Sequence, residues 1–270
     1  MTAKENIDAL LSKDSYTFDD LVSVVEVLRS DVGCPWDREQ DHKSIRNDLI
    51  EETYEVIEAI DTDDAVLLRE ELGDVMLQAV FHARIEEEKN SFDINDVCDG
   101  ICKKLIHRHP HVFGSVEADT TEKVLSNWEQ IKSDEKQRVT LTDKLRAIPP
   151  MLPALMRAQK VGKKASCFDF EDSRQVMEKI YEELAELNEA MSGASQDEIQ
   201  EEMGDLLLTV TSLCRKLGID AETAMNKATD KFIDRFDTLE KEVNSRGFDV
   251  KNLSMTELDA IWNEIKHKNR

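Results

Sequence analysis

The motif Glu51-Glu-x-x-Glu55 returns 131 residues later as Glu182-Glu-x-x-Glu186. At the same spacing Glu70-Glu-Leu-Gly-Asp74 returns as Glu201-Glu-Met-Gly-Asp205, so Glu52 to Asp74 and Glu183 to Asp205 are both intervals of 22 residues. With small changes of spacing the echo continues. Lys104-Leu-Ile-His-Arg108 answers to Lys231-Phe-Ile-Asp-Arg235, and Trp128-Glu-Gln-Ile-Lys132 to Trp262-Asn-Glu-Ile-Lys266. One acidic motif would recur by chance in a chain with 58 Asp and Glu, but an ordered series of matches marks two related units. Whatever the chain folds into must be something that half of it can build, twice.

The repeated segments have a helical period. Core-compatible residues fall at 45, 49, 53, 56 and 60 in the first copy and at 176, 180, 184, 187 and 191 in the second, one face of an amphipathic helix in each case. No run alternates with period 2, and Gly and Pro are scarce at 9 and 5 residues. The expected fold class is all-α: two tandem related helical-bundle domains, at 1–140 and 156–270. Between them, 141–155 reads as a Pro-containing linker, because Ile148-Pro-Pro-Met-Leu-Pro153 cannot continue a helix. Short polar connections, Asp61 to Asp64 and Ser192 to Gln196, make each pair of acidic helices an antiparallel hairpin.

Residues three apart share a helix face, so Glu52 with Glu55 and Glu71 with Asp74 project carboxylates in pairs, as do Glu183 with Glu186 and Glu202 with Asp205. Like charges so placed oppose folding, by far more near a core than in water. Asp205 is the only charged residue between Met203 and Cys214, which puts it at the edge of the expected buried face; Asp74 heads a similar run. Four carboxylates across one helix seam ask for a counter-charge. All-oxygen ligation selects a hard divalent ion, Mg²⁺ or Mn²⁺, over zinc. Glu58, Glu189 and the run Glu86-Glu-Glu88 lack this support and read as surface charge. Helical bundles that hold two irons add Glu-x-x-His; here the second partner is Asp in both copies, and the Glu39-x-x-His42 pair lies outside the repeat, so oxygen chemistry is disfavoured.

Cations accompany the acids. Lys231 and Arg235 lie one helical turn apart, and with Lys266 and Lys179, one turn before Glu183, they would make the positive side of a pocket for phosphate oxygens. Lys104, Arg108 and Lys132 repeat the pattern. Trp262 is either a base-stacking surface or a core anchor, and Trp128 is its counterpart. The string His107-Arg-His-Pro-His111 reads as a helix end at Pro110 rather than a metal motif, and Gly33-Cys-Pro-Trp-Asp37 as a structured turn.

A net charge of −23 repels polyanions, so nucleic acid is not an expected partner, whereas a small anion held by local cations or a metal is admissible. No apolar stretch approaches the ~20 residues that span a bilayer. The five cysteines lack CxxC spacing and no leader peptide is evident; they read as reduced, mostly buried thiols of a cytoplasmic protein.

The tandem Glu-Glu-x-x-Glu … Glu-x-x-Asp, with Gly-Cys-Pro-Trp-Asp37, Arg108-His-Pro-His-Val-Phe113, Leu152-Pro-Ala-Leu-Met-Arg-Ala-Gln-Lys160 and Lys231-Phe-x-x-Arg235-Phe, closely resembles the two-domain bacterial MazG nucleoside triphosphate pyrophosphohydrolases, over nearly the whole chain. The resemblance implies an all-α homodimer that hydrolyses nucleoside triphosphates to the monophosphate and pyrophosphate with Mg²⁺. By position it makes Glu183, Glu186, Glu202 and Asp205 metal ligands, with Lys179, Lys231, Arg235, Trp262 and Lys266 as nucleotide contacts. Glu52, Glu55, Glu71 and Asp74, and Lys104, Arg108, Trp128 and Lys132, are the first copy's equivalents. Glu182 or Glu201, beside the ligands, would accept the proton of the attacking water. The copies differ: Asp48 stands in the place of Lys179, Pro110 interrupts the helix after Arg108, and Arg to Trp spans 20 residues in the first copy against 27 in the second. The second copy is therefore expected to be the main active site. The competing expectation is a non-catalytic acidic scaffold or nucleotide sensor.

Overall fold

The computed structural model describes residues 3–116, 119–135 and 140–268. Among them there are helices and turns and no strands, as the pattern predicts. The chain divides after Ile131 into two compact units.

In the first unit α1 (Ala3–Leu11) and α2 (Phe18–Leu28) precede a short α3 (Pro35–Glu39). The acidic hairpin follows, α4 (Arg46–Asp61) and α5 (Ala65–Glu87), then α6 (Ile94–Arg108), α7 (Pro110–Phe113) and α8 (Thr121–Glu135), whose last turn crosses the division. The hairpin turns within Thr62–Asp64. Asp63 takes a left-handed φ of 54°, which its short polar side chain tolerates, and the Asp64 carboxylate caps α5 by accepting from Val66 and Leu67 N–H. A cap of this kind is worth about 1 kcal/mol. α2 packs on α5, and the core is Val25, Ile45, Val80, Phe81 and Ile85. The Gly33 turn is structured: the Val27 and Leu28 carbonyl oxygens would lie 2.2 Å from any Cβ at this position. Only glycine lets the chain fold back so closely before α3.

The second unit contains α9 (Leu141–Arg146), which packs on α10 (Ala154–Lys164), then α11 (Ser173–Ala190), α12 (Gln196–Lys216), α13 (Ala221–Ser245) and α14 (Met255–Lys268), with a 3₁₀ turn at Val250–Asn252. α11 and α12 form the second hairpin. The start of α12 is fixed by a capping box, in which Ser195 Oγ accepts from Glu198 N–H and Glu198 accepts from Ser195 N–H at 2.8 Å. α10 lies on α12 and α13, and Leu239, Val243, Ile261 and Ile265 form a core between α13 and α14.

The expected helix faces hold for Ile45, Val176 and Leu187, which are buried. Ile60, Leu184 and Met191, expected on those faces, are exposed. Each hairpin carries more apolar surface than its own unit covers, and α12 shows this best: Leu207 and Leu208 are nearly half exposed. Asp205 correspondingly lies exposed and not against a core. The cysteines also correct the reading, since Cys98, Cys102 and Cys167 are exposed and Cys34 and Cys214 only half-buried, all as free thiols. No helix among the described residues is long and apolar enough to cross a membrane.

Candidate metal and phosphate site

Each hairpin brings its carboxylates together. In the second unit Glu183 and Glu186 of α11 meet Glu202 of α12, with one oxygen from each lying within 4.8 Å of the others. In the first unit Glu52 and Glu55 of α4 meet Glu71 of α5 in the same way. The buried members are Glu183 and Glu71, at 4 % and 8 % exposure. Asp205 and Asp74 stand one turn beyond Glu202 and Glu71 and fall outside these closest triads, although both still act on them electrostatically. The acids that the folding places deepest are therefore the middle glutamates of each motif and not the aspartates.

Burial and mutual repulsion show in the titration of these groups. Desolvation, then the Glu186 and Glu183 carboxylates, push Glu202 above the ordinary carboxylate value. In the first unit two groups are raised: Glu52 by desolvation and then Asp74, and Glu71 by desolvation and then Glu55. Glu55 lies close to both and adds its charge to the repulsion. Excess negative charge held by rigid helices, with oxygen the only donor element, fits a hard divalent cation.

The two cradles handle this charge differently. Lys179, one turn before Glu183, donates from Nζ to Glu183 at 2.9 Å and to Glu182 at 2.7 Å, and this pairing raises its own pKa. The first unit has Asp48 in the corresponding first turn of α4, an acid where the second has a cation. Of the proton-acceptor candidates, Glu182 is therefore engaged by Lys179, whereas Glu201 is exposed and adds to the charge felt by Glu202.

The remaining site residues separate by helix. Lys231 is exposed and Arg235 half-buried on α13; Trp262 and Lys266 lie on α14. Trp262 takes the position of a core anchor. It packs on the α13–α14 core and also lies 5.4 Å from the Phe232 ring, which neighbours Phe236 at 6.1 Å. Among the described residues no ion pair joins Lys231, Arg235 or Lys266 to an acid, so their charge is available. Nor does any contact bring them onto the triad.

Lys104 of the first unit is exposed on α6, and Lys132, one residue past the division, is half-buried on α8. Arg108 is buried, with its guanidinium 5.7 Å from the Trp128 ring centre, and His109 packs edge-on against the same ring at 4.8 Å. α6 ends at Arg108, and Pro110 opens α7, as the sequence requires. α13, by contrast, runs on past Arg235 to Ser245. Trp128 thus spends its faces on neighbouring side chains of its own unit.

Three connections were not anticipated from the sequence. Glu86 and Glu88 are not plain surface charge. Lys89 and His42 hydrogen-bond to Glu86 and hold its pKa down at about 2, and Arg29, itself buried, pairs with Glu88 at 2.8 Å. His42 Nδ1 lies 2.8 Å from His82 Nδ1, so the segment before α4 is fastened to α5 through an imidazole pair. In the second unit Asp169 accepts from Arg215 and Lys216. Periodicity carries no signal for such pairs, which join residues about 40 to 60 positions apart.

Residues 40–113 and 161–239 each match the MazG nucleotide pyrophosphohydrolase domain, and these two segments hold both carboxylate hairpins. A nucleoside triphosphate pyrophosphohydrolase/pyrophosphatase MazG of Thermotoga maritima is 44 % identical over 251 residues, covering 92 % of this chain and 95 % of its own. A nucleoside triphosphate pyrophosphohydrolase of Escherichia coli K12 is 41 % identical over 255 residues, covering 93 % and 97 %. One from Mycobacterium tuberculosis is 34 % identical over 247 residues, covering 90 % of this chain and 65 % of its own. The chain is a member of the MazG nucleotide pyrophosphohydrolase family.

Proposed function

We propose that the protein is a hydrolase that converts nucleoside triphosphates to monophosphates and pyrophosphate, chiefly at the second unit, with Mg²⁺ or Mn²⁺ as its metal. The observation that carries this reading is the triad Glu183, Glu186 and Glu202 beside a lysine that already touches it. Glu183, Glu186, Glu202 and Asp205 would hold the ion, which when bound polarises phosphate oxygens and lowers the pKa of water. Lys179, Lys231, Arg235 and Lys266 would bind the polyphosphate and offset charge gathering on it, which is most of what phosphoryl transfer asks of a protein. Glu201, exposed and not paired with Lys179, is the better placed of the two acceptors for the water proton. Trp262 and Phe232 offer ring faces and no base-edge pattern, which supports broad base specificity. Such an enzyme serves control of nucleotide pools or removal of non-canonical nucleotides.

In the first unit, Glu52, Glu55, Glu71 and Asp74 would hold a similar ion, while Lys104, Arg108, Trp128 and Lys132 form a reduced substrate side. We take 1–140 and 156–270 as the domains; the joining segment 141–155 carries α9, which packs on the second of them. A homodimer accounts for the apolar surface left on the hairpin, Leu184 and Leu207 among it. The charge of −23 argues against nucleic acid, and the reduced thiols fit the cytoplasm.

The test is product analysis with Mg²⁺ and a range of nucleoside triphosphates. Monophosphate and pyrophosphate are expected, and Glu202→Gln or Asp205→Asn should abolish their release in a protein that stays folded. Diphosphate and phosphate as products, or full turnover in both variants, would refute the reading; tight binding without turnover would favour the sensor.

A further inference from the structure

α12 has chemistry at both ends. Glu202 lies near its start; Arg215 lies 13 residues further on, about 20 Å along the axis. At that far end is a cleft of about 420 Å³, walled by Lys160 and Lys163 of α10, Arg215, and the turn Gly218–Asp220. The walls are firmly built. Gln159 Nε2 donates to Ile219 O at 2.8 Å and its Oε1 accepts from Ala221 N–H at 3.0 Å, which clasps α10 to the α12–α13 turn. Gly162 lets α10 come against the Arg215 guanidinium, to which a Cβ would be 3.2 Å away.

The charges in this cleft are unevenly satisfied. Both terminal nitrogens of Arg215 are committed to Asp169, and Lys216 pairs with Asp169 and the Phe170 carbonyl. Asp220 is engaged in capping α13 through Thr223 N–H. Lys160 and Lys163 are exposed and have no ion pair or hydrogen bond among the described residues; three apart on α10, they face the same way. The corresponding place in the first unit is closed. At the 131-residue spacing Arg84 matches Arg215, and Glu87 and Glu88 match Gly218 and Ile219. There Arg84 pairs with Glu87 at 3.0 Å and Glu88 at 3.3 Å, and the cleft is only about 60 Å³. The second unit lacks those acids, so the space is open and two cations remain unanswered.

We propose that this cleft is a second anion site, remote from the carboxylate cradle, that takes a compact diphosphate group. Two neighbouring lysine point charges suit adjacent phosphoryl groups, whereas the one guanidinium fork that would favour a carboxylate is already used by Asp169. The cleft has the size of a small-molecule site, and a chain with so negative a field repels larger polyanions. The group is supplied equally by free pyrophosphate or by a nucleoside diphosphate. This proposal stands apart from the catalytic reading.

Calorimetric titration of the full chain in EDTA tests it, because without metal the cradle's carboxylates outnumber Lys179, which is itself held by Glu182 and Glu183. Sodium pyrophosphate should bind saturably, one per chain. Lys160→Ala/Lys163→Ala, at exposed positions, should weaken binding at least tenfold, and Lys231→Ala/Arg235→Ala by less than twofold. Adenosine diphosphate binding as well as pyrophosphate supports a nucleotide source; pyrophosphate alone binding supports the free anion. No saturable binding of either, or binding that survives Lys160→Ala/Lys163→Ala, would overturn the proposal.

Discussion

The first unit and the second build the same three-glutamate cradle from the same motif and then surround it differently. In the second, Lys179 sits on Glu183, and Lys231, Arg235 and Lys266 have no ion pair among the described residues. In the first, Asp48 replaces the lysine, Arg108 is buried beside Trp128, and Glu52, Glu55 and Glu71 crowd together without a lysine among them. The difference teaches that the acidic motif specifies a place for a cation, while the cations around it decide whether a polyphosphate can follow.

The strongest way to break this comparison is to disable each cradle in turn. Glu183→Gln should lower the rate of pyrophosphate release by on the order of 10²–10³-fold, whereas Glu52→Gln should change it less than threefold. Equal losses would erase the distinction. Removing the second unit's special cation is the next largest effect: Lys179→Ala should raise KM for the triphosphate roughly tenfold or more, the worth of one charge-assisted hydrogen bond. An unchanged KM in steady-state assays would leave Lys179 as a structural partner of Glu183.

Proton and metal compete for the same oxygens, and the first unit should feel this more, having two raised carboxyls against one. A folded pKa above the unfolded one favours folding below the ordinary value near 4.5 and loses that contribution as pH rises through the raised value. Metal-free protein should therefore gain stability on mild acidification from neutral, while the stabilisation given by Mn²⁺ shrinks. Thermal melts with and without Mn²⁺ from about pH 8 to pH 5 check this, and Glu52→Gln/Glu71→Gln should remove more of the pH dependence than Glu202→Gln. The smallest effect is the sharpest: Asp48→Lys should stabilise the metal-free first unit by about 0.5 kcal/mol at neutral pH, by lending it the counter-charge that Lys179 provides.

Helix period and motif repetition made the hairpins legible, because each is a local property of 15 to 25 residues. α4 and α11 begin and end within a few positions of the expected stretches. The triads were legible for the same reason, apart from their depth. Asp205, flanked by leucines, gave the pattern of an acid against a core, yet the buried acids of the two cradles are Glu71 and Glu183. Apolar neighbours report what a helix can bury, not what its own chain supplies to cover it, and α12 leaves Leu207 and Leu208 exposed. Long-range pairs were illegible for a different reason. Arg29 with Glu88 and Asp169 with Arg215 depend on which helix ends meet, which no local spacing records.

The central claim, that of the two cradles only the second serves a substrate site, is tested most directly by counting bound nucleotide. Calorimetry with a non-hydrolysable triphosphate and Mg²⁺ should give one nucleotide per chain, lost in Glu183→Gln and retained in Glu52→Gln. Two nucleotides per chain, or loss of binding in Glu52→Gln, would contradict it.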